Sequence, residues 1–167
     1  MINQAIFVLT FVAAIGCGLV AGVFFAFSSF VMAGLGRLPS DHGIAAMNSI
    51  NVTVINPVFF AAFFGTALLS LVLAAGSWLW WDQASGKLLL AAGVIYLVGS
   101  IVATAVYNIP LNNALAVVRP GTAEAASLWS RYLRDWTMWN TVRTVASAVS
   151  MILFILALIG RQAADQG

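Results

Sequence analysis

PVFFAAFFGTALLSLVLAAGSWLWW, residues 57–81, decides the fold. The stretch holds no charged residue, and Thr66, Ser70 and Ser77 are its only hydroxyl side chains. As a helix it rises about 37 Å, enough to cross the ~30 Å hydrocarbon core of a bilayer. No water is available there to satisfy backbone amides, so a spanning segment must be a helix or part of a closed barrel. The short alternating strands of a barrel are absent, which leaves the helix. Asn56 is placed to cap it, and Pro57 falls in the first turn, where a missing N–H is harmless. Trp78, Trp80 and Trp81 at the far end form an aromatic belt at the level of the headgroups.

Three further apolar stretches have spanning length: 5–33, 87–107 and 141–160. The 167 residues are 62% hydrophobic and 7% charged, against roughly 25% charged in soluble domains, so a water-soluble globule could not be coated. The expectation is an all-α fold, an integral membrane four-helix bundle forming one domain, 1–167. A short interfacial helix over 41–55, capped by Ser40 or Asp41, is expected between the first two spans. Pro110 is expected to stop the third span near 107. The fourth helix is extended by an amphipathic lead-in over 122–140. Read from Thr122 to Gly160 it would measure about 58 Å, so its first half must project from the hydrocarbon or bend. Residues 1–4 bring no Lys or Arg to open a signal peptide, and the first apolar run is read as a retained helix. Its Gly18/Gly22 pair has the spacing that lets helices approach closely, within the bundle or across a homodimer.

Several classes of function are excluded or disfavoured. The net charge of +2 comes from seven basic and five acidic residues that are scattered singly, which gives nucleic acid nothing to bind. One histidine, His42, and one cysteine, Cys17, cannot supply the usual ligand sets of zinc or haem. There is no phosphate-binding or dinucleotide fingerprint. No carboxylate lies inside a span, which disfavours a proton-coupled transporter. The first and third loops lie on one side of the membrane and carry Arg37, Arg119, Arg131 and Arg134, against Lys87 and Arg161 opposite. The positive-inside rule places those two loops in the cytoplasm.

The segment that could carry chemistry is WSRYLRDWTMWNTVRT, residues 129–144. Trp129, Trp136, Asn140, Arg143 and Ser147 are spaced so as to share one helical face leading into the membrane. Two readings of Arg143 stand side by side. It snorkels to the headgroups while the tryptophans anchor the interface, or it faces the bundle as part of a site. The amides Asn48, Asn51, Asn56, Asn108, Asn112 and Asn113 divide in the same way, between helix caps and a shared polar pocket.

INVTVINP (50–57), YNIPLN (107–112) and the segment 129–144 resemble the pattern of the anthrone oxygenase family, small four-helix membrane proteins, over residues 22–158. The resemblance implies oxidation of an anthrone-like polycyclic aromatic to an anthraquinone with molecular oxygen, without metal or flavin, in a bacterial inner membrane. It further implies roles. Arg143 and Asn140 would donate hydrogen bonds to the developing oxyanion, and His42 or Asp135 would act as base. Trp129, Trp136, Phe24 and Phe27 would stack on the rings, with Asn51, Asn108 and Asn112 completing the substrate pocket. The alternative is a non-catalytic membrane protein that binds or carries an apolar small molecule, or supports a partner protein.

Overall fold

The computed structural model describes residues 2–81 and 83–164, and every regular element among them is helical. The side chain of Trp80 and the whole of Asp82 lie outside the described residues, so the aromatic belt is seen at Trp78 and Trp81, both exposed.

Five helical rods make the fold. α1 covers residues 2–35 and contains a widened π turn at Phe27–Val31. α2 is the short helix Ser40–Thr53. α3 runs Pro57–Gly76 and tightens into a 3₁₀ turn at Ser77–Trp80. α4 spans Ala84–Val117, and α5 is one unbroken helix of 42 residues, Ala123–Ala164. All but α2 are long and apolar enough to cross a membrane. The α3 start is as the sequence dictates: the Asn56 Oδ1 accepts from the Phe59 N–H at 3.0 Å and Pro57 opens the first turn.

Two expectations about α4 and α5 need correction or resolution. Pro110 does not end the third span, because α4 widens into π turns at Leu97–Val102 and Thr104–Asn108 just before it. The proline then falls at the start of the regular stretch Ile109–Val117. The wider ladder relieves the clash of its ring with the preceding turn and removes the need for its N–H. α5, in turn, projects rather than breaking. At about 63 Å it is twice the hydrocarbon thickness. α2 starts one residue before and ends two residues before the expected 41–55, and neither Ser40 nor Asp41 caps it, since Pro39 occupies the cap position.

The core divides into two clusters along the bundle. Within the spans, Ala13, Ala14, Cys17, Ala92 and Ala157 are buried together with Tyr96 and Phe154. Small side chains let the backbones approach where lipid gives helices no hydrophobic reason to associate. At Gly93 the neighbour is backbone itself, since a Cβ there would stand 2.5 Å from the Ser70 carbonyl of α3. Gly18 and Gly22 act separately: a Cβ on Gly18 would meet Met151 at 2.9 Å, whereas Gly22 has nothing within 4 Å. In the projecting end a second core forms, in which Ile44 and Met47 of α2 are buried against Leu115, Trp129 and Tyr132. α2 is therefore packed onto the bundle.

Candidate functional site

One face of α5 organises the site. Trp129, Tyr132, Trp136, Asn140, Arg143, Ser147 and Ser150 follow one another at steps of three or four and are all buried, as residues on a single helical stripe must be if that stripe faces the bundle. Deepest in the membrane, the Ser150 hydroxyl donates to the Ala92 carbonyl at 2.9 Å, and Ser147 shares a 2.7 Å hydrogen bond with Ser100. These bonds fix α5 against α4 and set the depth and rotation of the next residue along, Arg143.

Arg143 is 5% exposed, so it does not snorkel. Its Nη1 donates to the Thr104 hydroxyl at 3.1 Å and its Nη2 to the Asn140 Oδ1 at 2.7 Å. The guanidinium lies 4.2 Å from the ring centre of Phe24 and 5.2 Å from that of Trp136, and aromatic faces attract a desolvated cation. Among the described residues no carboxylate pairs with it. Two of its five N–H bonds are taken by the protein, and Nε is buried without a partner. Thr104 is free to accept because its own proton goes to the Ser100 carbonyl at 2.7 Å.

Asn140 is the strut behind this arrangement. Its Nδ2 donates to the Phe24 carbonyl at 2.6 Å and to the Ser28 hydroxyl at 2.7 Å. Both acceptors lie on α1, Ser28 within the π turn Phe27–Val31 and Phe24 just before it, and a side chain reaching into the backbone ladder is a recognised cause of irregular helix. With both N–H bonds committed, Asn140 has none left for a ligand oxyanion, and its role is to aim Arg143.

Arg143 stands in the wall of a cavity of about 260 Å³ bounded by α1, α3, α4, α5 and the segment 47–55. Phe24, Phe27, Phe59, Phe63 and Trp136 supply flat walls, and Phe59 and Phe63 are themselves stacked at 5.6 Å. The polar side is made of Arg143, Asn51, Asn108 and Asn112. Asn108 donates to the Trp136 carbonyl at 3.2 Å, leaving its Oδ1 unpartnered, and the Trp136 indole N–H is also unpartnered. Asn112 accepts from the Tyr132 hydroxyl at 2.8 Å.

Of the residues expected from sequence, Arg143, Asn140, Trp136, Asn51, Asn108, Asn112, Phe24 and Phe27 all line this one cavity. Two do not. The His42 side chain is 71% exposed on the first turn of α2, 3.8 Å from Asp41, because its helix turns Ile44 and Met47 to the core instead. Trp129 lies flat over Gly43, where a Cβ would come within 2.7 Å of the indole, and stacks on Tyr132 at 5.6 Å. It packs the projecting end. Asp135, the other candidate base, pairs with Arg134 at 2.8 Å on the outer surface.

Sequence reading missed Thr104, Phe59, Phe63 and Tyr132. Signals for each were present: Ser100, Thr104 and Asn108 recur at four-residue spacing through an apolar span, the paired phenylalanines of FFAAFF repeat at the same interval, and Tyr132 falls between Trp129 and Trp136 on their face. Among the described residues no three of His, Cys, Asp and Glu converge.

Fold and site together define an integral membrane helical bundle with an internal apolar cavity, one wall of which is a guanidinium held by neutral partners. Residues 57–153 match the model of the anthrone oxygenase family, and the chain belongs to that family. The matched stretch contains every cavity residue contributed by α3, α4 and α5. No curated protein and no solved structure matches the chain.

Proposed function

We propose that the chain is an oxygenase acting on an enolisable polycyclic aromatic ketone of the anthrone type. The observation that carries this reading is Arg143: a buried guanidinium in the wall of an apolar cavity, with no carboxylate beside it among the described residues. Burying a lone cation is costly, so such a site favours a ligand that brings the negative charge. An anthrone does so when its central CH2 loses a proton, since the charge spreads through the rings onto the ketone oxygen.

The net reaction turns that CH2 and one O2 into a carbonyl and one water. The carbanion reduces oxygen and forms a C–O bond, giving a hydroperoxide. Loss of the remaining proton on that carbon then breaks the O–O bond, and the departing hydroxide is protonated to water. In this scheme an N–H of Arg143 not used by Thr104 or Asn140 holds the enolate oxygen, an interaction worth about 3–4 kcal/mol for one good donor. Phe24, Phe59, Phe63 and Trp136 hold the rings. The cavity lies just below the ~300 Å³ at which small-molecule pockets begin, which suits three fused rings better than a larger ligand.

A second reading, a non-catalytic carrier of an apolar anion, is favoured by one observation: among the described residues no carboxylate or imidazole lines the cavity. Oxygen uptake by the purified protein with emodin anthrone and a chelator separates the two. Enzyme-dependent uptake above autoxidation, reduced about 100-fold or more in Arg143→Gln, is expected. Equal uptake with and without protein leaves the carrier.

A further inference from the structure

The polar floor of the cavity and its outer rim face different solvents. At the floor, Arg143, Asn108 and Trp136 are almost wholly buried, and each carries a polar atom without a partner. At the rim, Val23 of α1, Phe60 and Phe64 of α3 and Ile109 of α4 line the same cavity, yet they are 39% to 49% exposed on the outside of the bundle. All four belong to the membrane-spanning helices. A side chain exposed at that depth meets lipid tails, because the bilayer core holds no water. These four side chains contribute no hydrogen-bonding group, so this edge offers nothing to a hydrated ion. The other exposed lining residue, Ile55 at 66%, is on the link between α2 and α3, and Asn51, Thr104 and Asn112 line the cavity half-buried.

We propose that the ligand reaches Arg143 sideways from the bilayer, through a doorway framed by Val23, Phe60, Phe64 and Ile109, and crosses it as an uncharged molecule. An ionised aromatic would have to shed its hydration before meeting any compensating group, since the doorway itself holds no donor. A neutral tricyclic ketone dissolves in the surrounding lipid, is concentrated there, and exchanges one apolar surrounding for another as it passes. The oxidised quinone, also neutral, leaves by the same way. This route rests on the cavity being a ligand site as proposed above, but not on any reaction taking place there.

The test places single cysteines at the rim, Phe64→Cys and, in case that variant is unstable, Phe60→Cys, in a Cys17→Ala background. Val106→Cys, on the outer face of α4 and away from the cavity, is the control. The proteins are reconstituted into phosphatidylcholine vesicles made permeable to both sides. A nitroxide methanethiosulfonate label is attached to each cysteine in detergent before reconstitution, and at the rim lipid-soluble oxygen should relax it at least tenfold more effectively than a water-soluble nickel chelate. Equal relaxation by both would place the rim in water and overturn the doorway, whatever the protein binds. Binding of 1,8-dihydroxyanthraquinone, read by stopped flow as quenching of the fluorescence that Trp136→Phe removes, should then slow at least tenfold after the rim is labelled. It should be unchanged after Val106→Cys is labelled. Unchanged association at a fully labelled rim would overturn the route. Absence of any quenching in the unmodified protein would overturn the ligand site itself, while the relaxation contrast still decides which solvent the rim meets.

Discussion

The Asn140 oxygen lies 2.7 Å from Nη2 of Arg143, one turn further along α5, while both Asn140 N–H bonds are tied to α1. The two residues thus make one device, an arm and the bracket that holds it. Asn140→Ala should leave the Phe24 carbonyl and one guanidinium N–H unsatisfied and destabilise the protein by about 1–3 kcal/mol. Thermal unfolding in detergent measures this, and Ser28→Ala should cost less because the Phe24 bond survives.

Arg143 itself should contribute little to stability. Replacing a buried charge by an apolar residue of similar volume is often neutral or better, whereas losing one member of a true buried ion pair costs about 3–5 kcal/mol. Arg143→Met is therefore expected to unfold within about 1 kcal/mol of the parent while losing the ability to bind 1,8-dihydroxyanthraquinone. A loss of several kcal/mol would mean that an acidic partner holds it in the native protein.

His42→Ala should change neither oxygen uptake nor unfolding temperature by more than experimental scatter. The side chain is solvated and remote from the cavity, and exposed substitutions of this kind stay within about 0.5 kcal/mol. A fall of tenfold or more in oxygen uptake would restore histidine as the base.

Gly43→Val forces a branched side chain into the space of the Trp129 indole. Overpacking of this kind costs about 1–3 kcal/mol, and the loss should appear as a lower unfolding temperature. Ligand affinity should hold, because Trp129 packs the projecting end and does not line the cavity.

Ser100 and Ser147 share one hydrogen bond between α4 and α5. Interhelical bonds of this type in membranes average about 0.6 kcal/mol. The single alanine variants should each lose about that amount. The double variant should lose no more than either, which a double-mutant cycle reads as coupling.

Sequence alone carried the spans, the Asn56 cap and the stripe from Trp136 to Ser147, because hydropathy and helical periodicity are local properties. Eight of the ten residues it singled out line one cavity, since polar groups buried in lipid have few places to converge. It failed where the outcome depended on geometry between helices. His42 was attractive for its chemistry, but which way α2 rolls is set by Ile44 and Met47 meeting Leu115 and Tyr132, contacts some 70 to 90 residues away in the chain. Asn140 looked like a donor until its partners on α1, more than 100 residues away, were seen to take both hydrogens. Pro110 stopped the third span on paper because helix rules assume the α ladder that α4 has already abandoned.

The wide turns of α4 carry a heredity of their own. A π turn accommodates one residue more than the ladder around it, so each of the two marks where the chain tolerates a single-codon change in length. Deleting Ala105 and closing one of them would leave the helix beyond it in register, whereas a one-residue deletion in the regular stretch Ala84–Tyr96 would swing everything beyond by about 100° around the axis. Asn108 and Asn112 would be carried off the chamber wall while the apolar thread still crossed the membrane. Length in this stretch is thus under a constraint that hydropathy does not register: the segment would remain an acceptable span and cease to furnish half of a polar wall.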